Sequence, residues 1–380
     1  MKCGSIYPLF SVPRLSLCLC ASVVSSLPLL FLFYAVDNSK VRVMDKVKIA
    51  ILGGSGYTAV ELIKILLRHP HAEIVAITSR QGEHIADLHP SLLGRCDVVC
   101  EPFDAGKLAA KGTQVAFGCL PHGTSMESIP PLLERGIRVV DLSADYRLRD
   151  ANVYTQWYGE THHDAANLAH AVYGLPELAG EKLASAKLVA NPGCYPQTAI
   201  LGLAPLVANG LIELTGIIVD SKSGVSGAGR TPKLTTHFPE CNESVSAYAV
   251  GSHRHTPEIE QALSDLAGSP VSVIFTPHLM PMDRGILSTI YATPTRTVTE
   301  PELVALYRSY FAGKPFVRLR TTPPATKDTV HTNFLDVCVK VVRGKVLVLA
   351  AEDNLIRGAS GVAVQNFNRM FGFDERTGLL

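Results

Sequence analysis

Val47-Lys-Ile-Ala-Ile-Leu52 is a β-rich run that ends in glycine. From Tyr57 to Arg68 the apolar residues Val60, Leu62, Ile63, Leu66 and Leu67 recur at helical spacing. Residues 73–78, 115–119 and 138–142 repeat the strand signal, with a helix expected over 128–135. A short strand at 187–190 follows, then a turn and a helix from about 196 to 207. Strands alternating with helices predict a parallel sheet covered on both faces. Beyond Gly210 the pattern changes. Residues 217–220, 271–275, 285–291, 334–342 and 345–350 read as strands with fewer helices between them, and 358–370 as a closing helix. That predicts an α/β protein whose second domain is α+β with a mixed sheet.

The front does not match the rest. Residues 15–36 form 22 consecutive positions without a charge, preceded by Lys2 and Arg14. The run is long enough to cross roughly 30 Å of hydrocarbon and reads as a targeting peptide or a membrane anchor. Pro28 and the serines at 22, 25 and 26 weaken the helix signal. Met44 stands three residues before the first strand, as an initiator would, which makes 1–43 equally a misassigned start.

Composition narrows the class. Apolar residues make up 47% and charged residues 18% of 380, ample for two buried cores. The net charge of +1 gives no bulk electrostatic case for nucleic acid. Removing Lys2, Arg14, Lys40, Arg42 and Asp37 with the front leaves 31 basic and 33 acidic residues, a slightly acidic balance. Nine cysteines are too scattered for a disulfide framework, and neither a CxxC pair nor a carboxylate–histidine set suggests a metal.

Gly53-Gly-Ser-Gly56-Tyr-Thr-Ala59 lies between the first strand and the first helix. Glycine there lets backbone N–H groups approach a pyrophosphate at a helix N-terminus, so Gly53, Ser55, Gly56, Tyr57 and Thr58 are candidate cofactor residues of a Rossmann-type domain. A site that prefers NAD usually places an acid about 20 residues further on. Here the second strand ends in Thr78-Ser79-Arg80, which suits a 2′-phosphate and favours NADP(H).

Asn191-Pro-Gly-Cys194-Tyr-Pro196 joins a strand to a helix. Cys194 at the helix start meets exposed N–H groups and a dipole that favour the thiolate. Its proton-transfer partner is sought in Gly251-Ser-His253-Arg-His255-Thr-Pro-Glu, a loop just before a helix. Ser221–Arg230 is a second glycine- and hydroxyl-rich loop, fit to cradle an anionic group through backbone N–H and Arg230. These residues alone leave three readings open: a thiolate oxidoreductase, a cysteine hydrolase and a silent nucleotide-binding module.

The motifs together resemble the N-acetyl-γ-glutamyl-phosphate reductase family. The resemblance is carried by 53–58, 191–196, 223–230, 253–259, Asp353-Asn-Leu355 and Gly358-Ala-Ser-Gly361, and runs from about 46 to 380. It implies NADPH-dependent reduction of N-acetyl-glutamyl 5-phosphate to the 5-semialdehyde in arginine biosynthesis. It implies Cys194 as nucleophile and His253 as general acid/base. Ser223, Arg230, Tyr248 and His255 then bind substrate or phosphate, and Asn354 lies near the nicotinamide because the C-terminal helix folds back. The implied domains are 44–192 with 354–380 for NADP, and 193–353 for catalysis and oligomerisation as a dimer or tetramer. Other acyl-phosphate reductases share this chemistry. Ala59 and Gln197 depart modestly from the family pattern. A thiolate enzyme using NADPH belongs in the reducing cytoplasm, which favours a start at Met44 or a removed front and makes a membrane role unexpected.

Overall fold

The computed structural model describes residues 46–380. The charge-free run at 15–36 and the rest of the front lie outside the described residues.

β1 (Val47–Leu52), β2 (Ala72–Ile77), β3 (Val115–Gly118), β4 (Arg138–Asp141), β5 (Val172–Tyr173) and β6 (Leu188–Ala190) form one sheet in the order β2-β1-β3-β4-β6-β5. Every pairing in it is parallel. Only Lys48 of β1 is exposed, as expected of a strand covered on both faces. The strand order reverses between β1 and β3, which opens a crevice at the carboxyl ends of those two strands. The helix expected over 128–135 is two short ones, Ser125–Ser128 and Pro130–Leu133. Pro130 has no N–H to give, so the hydrogen-bond ladder breaks there.

β7 (Ile217–Gly224), β8 (Ser246–Ala247), β9 (Val273–Met280), β10 (Ile286–Ala292), β11 (Val317–Leu319), β12 (Leu335–Val342) and β13 (Lys345–Glu352) form a mixed sheet, ordered β11-β12-β13-β10-β7-β9-β8. One face buries Ile217, Val219, Ile290, Val348 and Ala350 in a core shared with helices Cys194–Ala208, Thr256–Ala267 and Glu300–Tyr310. The last helix buries only Leu303 and Tyr307 within it, too thin a stripe to stand out in the sequence. Its start is set by the Thr299–Glu302 capping box. On the opposite face Tyr291, Ile218 and Ile274 are cross-strand neighbours, and all three are exposed.

After β13 a π-helical turn, Ile356–Ser360, leads into the helix Gly361–Phe371. Val364, Phe367 and Met370 of that helix join Ile63 and Phe117 in the core of the parallel sheet. The last helix therefore packs back onto the parallel sheet, and the π turn leads from one sheet to the other.

Candidate active site

β1 is followed by Gly53 at a φ of +82°, where a Cβ would lie 2.6 Å from the Cys119 carbonyl oxygen. The N–H groups of Gly53 and Gly54 donate to Thr78 Oγ1 (3.2 Å) and Thr78 O (2.8 Å), tying the glycine loop to the end of β2. Gly56 precedes the helix Tyr57–Leu66 and offers no side-chain cap, so first-turn N–H groups that include those of Tyr57 and Thr58 are left for a ligand. The adjoining cleft holds about 930 Å³ and is lined by Gly53, Ser55, Gly56, Ser79, Arg80 and Arg230 among others. A backbone-floored crevice at the reversal of strand order, with an uncapped helix start and a guanidinium on its wall, fits a phosphate-bearing dinucleotide. Ser79 Oγ donates to Glu83 Oε2 at 2.6 Å, a bond that holds the Glu83 carboxyl below its usual range. The sequence pattern did not mark this carboxylate.

Cys194 is the first residue of its helix, two residues before the expected start. The turn ahead of it is clamped from several sides. Gly193 N–H donates to Glu258 Oε1 (2.8 Å), Asn191 Nδ2 donates to Ala359 O (3.1 Å), and Asn366 Nδ2 donates to Asn191 Oδ1 (3.1 Å). Burial, the largest cause, pushes the Cys194 thiol up to about 12, a value that includes the charge Glu352 would carry if ionised and the opposing pull of the Tyr195 N–H and Arg147. The helix start therefore does not by itself make a thiolate, because desolvation outweighs it.

His253 and His255 have ring centroids 4.8 Å apart, and His255 N–H donates to His253 Nδ1 (3.1 Å). Tyr195 and Tyr248 set their rings against His253 at 5.6 and 5.5 Å, and Tyr248 O–H donates to the Tyr195 hydroxyl at 3.0 Å. Burial lowers His253 to about 4, with the Arg254 charge adding to it. Burial, then the charges of His253, Arg147 and Arg254, puts His255 well below its usual range. Both imidazoles are neutral at pH 7, and so able to take a proton. A side chain on Gly193 would run into His255 Nε2 and Arg147 Nη1, which places His255 directly against the Cys194 turn.

Ser223 is buried and its hydroxyl donates to Gly224 O (3.0 Å). Asn354 is held by Gly285 N–H (2.8 Å) and by Ser226 Oγ (3.0 Å), so it braces the Ser223–Arg230 loop from below. Arg230 reaches away from Ser223: its Nη1 donates to Ser55 O at 2.9 Å, on the lip of the dinucleotide cleft. Three residues unmarked by sequence complete the site. Arg147 is buried, donates to Asn191 O (2.8 Å) and Leu142 O (2.9 Å), and pairs with Glu258 (3.3 Å). Glu258 also accepts Tyr173 O–H (2.8 Å). Glu352, at the end of β13, is fully buried. Among the described residues no group of three or more His, Cys, Asp or Glu is placed to hold a metal.

This architecture is that of the semialdehyde dehydrogenases. The family model described as "Semialdehyde dehydrogenase, NAD binding domain" matches residues 48–186, and "Semialdehyde dehydrogenase, dimerisation domain" matches 194–354. Aspartate semialdehyde dehydrogenase II from Vibrio cholerae, complexed with ASA, superposes with a TM-score of 0.65 over 86% of this chain and 98% of its own, at 14% identity. The Candida albicans aspartate semialdehyde dehydrogenase with NADP gives 0.62 over 86% and 99%, also at 14% identity. At the level of sequence the match is far nearer. N-acetyl-gamma-glutamyl-phosphate reductase from Rhodopirellula baltica is 50% identical over 343 residues, covering 88% of this chain and 99% of that protein. The Desulforudis audaxviator protein of the same name is 51% identical over 340 residues, covering 88% and 98%. The chain belongs to the N-acetyl-gamma-glutamyl-phosphate reductase family, and it is an oxidoreductase whose dinucleotide is NADP(H).

Proposed function

We propose that the protein reduces N-acetyl-L-glutamyl 5-phosphate to N-acetyl-L-glutamate 5-semialdehyde in arginine biosynthesis, with Cys194 as the covalent nucleophile. The observation that carries the residue assignment is the convergence of Cys194, at a helix start, with two neutral imidazoles and the Tyr195–Tyr248 pair. The imidazole pair takes the thiol proton, the sulfur attacks the acyl carbon, and phosphate leaves a thioester on Cys194. NADPH, when bound, supplies the hydride that brings the thioester to the aldehyde level. His253 gives a proton to the carbonyl oxygen and takes it back as the aldehyde departs. His255, Ser223 and Tyr248 hold the acyl phosphate. Arg230 joins them by leaving the lip of the cleft, or else serves the cofactor from where it stands. Gly53, Ser55, Gly56, Tyr57 and Thr58 cradle the pyrophosphate, Ser79 and Arg80 face the 2′-phosphate, and Asn354 supports the nicotinamide end.

Residues 44–192 with 354–380 serve as the NADP domain and 193–353 as the catalytic domain. The exposed apolar row Tyr291–Ile218–Ile274 supports assembly of a homo-oligomer through the open face of the mixed sheet, in line with the "dimerisation domain" description of that region. No helix among the described residues is long and apolar enough to cross a membrane, and thiol chemistry suits the cytoplasm. The test is Cys194→Ser: turnover is lost while NADPH binding persists. Full turnover in that variant ends the assignment.

A further inference from the structure

Glu352 is a carboxyl with nothing to do in the scheme above. It closes β13 in the middle of the mixed sheet, between the apolar cross-strand partners Ile286 and Leu335. Its exposure is 0%, and neither carboxyl oxygen has a hydrogen-bond partner among the described residues. A buried polar group left unpaired is costly, so its retention calls for a reason. The reason is next to it. A Cβ built on Gly358 would lie 2.8 Å from Cys194 Cβ and 3.0 Å from Glu352 Oε1, so the thiol-bearing residue and the carboxyl flank one glycine-sized gap.

The charges around Glu352 do not favour its ionised form. Arg357 is the cation whose charge acts on Glu352, and Glu177 already engages that guanidinium through two bonds of 3.0 and 2.8 Å. The Asp353 carboxylate, beside it in the chain, is taken up by the N–H groups of Leu355, Ile356 and His331 and by Arg284. Burial, with Asp353 and Glu177 adding and Arg357 opposing, holds Glu352 well above the usual carboxylate range. It stands beside Cys194 as an uncharged acid with an O–H and no acceptor for it.

We propose that Glu352 supports the nucleophile by donating a hydrogen bond to the Cys194 sulfur when it becomes a thiolate, and again when the thiohemiacetal expels it. This rests on Cys194 being the nucleophile. No proton changes hands at Glu352. The thiol proton goes to the imidazole pair, and the carboxyl keeps its own throughout, so the acid is unchanged after each turnover. Without the bond, the sulfur meets a buried environment that itself pushes its thiol up. With Glu352 ionised, the same carboxyl repels the thiolate, so the device works only with its proton on.

The opposite reading, a carboxylate that merely raises the thiol, predicts the opposite sign. The experiment is the pH dependence of iodoacetamide alkylation at Cys194 in the wild type, Glu352→Met and Glu352→Gln, with NADPH binding as the check on folding. Glu352→Met fills the space without a donor and is expected to slow alkylation at pH 7 by about tenfold or more, one unit of thiol pKa. Glu352→Gln keeps a donor that cannot ionise, so it restores most of the rate at pH 7. Alkylation in Glu352→Met as fast as or faster than the wild type overturns the proposal, as does a Gln variant no better than Met. If instead Cys194→Ser retains turnover, it is the nucleophile assignment that fails.

Discussion

The Glu258 carboxylate accepts the backbone N–H of Gly193 at 2.8 Å while pairing with the buried Arg147 guanidinium at 3.3 Å. One side chain thus sets both the turn that presents Cys194 and the charge balance beneath it. Replacing Glu258 with alanine strands a buried cation and frees the turn, at an expected cost of about 3–5 kcal/mol of stability. Glu258→Gln keeps an acceptor for Gly193 N–H and is expected to cost less while still lowering kcat. Urea denaturation and NADPH-oxidation rates on the two variants check this, and equal losses in both would remove the turn from the argument.

The two histidines should separate kinetically. His253→Asn is expected to lower kcat by about 10²–10⁴-fold, the usual contribution of a positioned acid/base, whereas His255→Asn acts mainly on KM. The reverse outcome would move the proton-transfer role to His255, whose Nε2 faces the Gly193 turn. Because burial lowers His253 to about 4, the acid limb of kcat/KM belongs near pH 4 instead of 6.5. Stability follows the same shift. Between pH 6.5 and 4 the unfolded chain binds a proton at His253 that the folded one refuses, so this contribution is whole above 6.5 and is lost as the pH falls toward 4. The wild type should therefore lose more stability over that window than His253→Asn, by on the order of 1–3 kcal/mol.

Arg80 and Glu83 face the same mouth of the dinucleotide cleft with opposite charge. Arg80→Ala is expected to weaken NADPH binding by about 10–100-fold, the loss of a charged hydrogen bond, and NADH binding far less. Glu83→Gln removes a carboxylate from beside the 2′-phosphate position and frees Ser79 Oγ, so NADPH binds the tighter of the two by a wider margin. Fluorescence titration with both nucleotides checks the pair. Equal changes for NADPH and NADH would place the 2′-phosphate elsewhere.

The parallel sheet was legible because its strands are mostly apolar runs and its glycine loop follows a strand end, a local signal that needs no partner. Cys194 was legible for the same reason: Gly193 and its flanking prolines mark a turn within six residues. What sequence missed is what depends on distant chain. Arg147 and Glu258 meet across 111 residues, and Glu352 matters only because the π turn brings Gly358 against Cys194. Arg230 shows the opposite error, since a loop read as one anion cradle sends its arginine to Ser55 on the other sheet's loop. The thiol's state was also hidden. A helix start is visible in the sequence, whereas the burial that overrides it belongs to the tertiary structure.

Gly358 offers the most direct probe of that hidden geometry. It lies in the π turn, its N–H donates to Asp353 O at 2.8 Å, and it contacts Cys194 on one side and Glu352 on the other. Alanine here puts a methyl 2.8 Å from Cys194 Cβ, an atom fixed to the backbone at a helix start, 3.0 Å from Glu352 Oε1 and 3.3 Å from the Asp353 carbonyl oxygen. Overpacking of this kind costs about 1–3 kcal/mol. The larger effect should fall on chemistry, because displacing a nucleophile by about 1 Å costs roughly 100-fold in rate. Gly358→Ala is therefore expected to bind NADPH normally and to unfold at slightly lower urea. Its kcat and its rate of Cys194 alkylation should fall together. A variant that alkylates normally but turns over slowly would show that the gap serves the acyl group and leaves the sulfur in place.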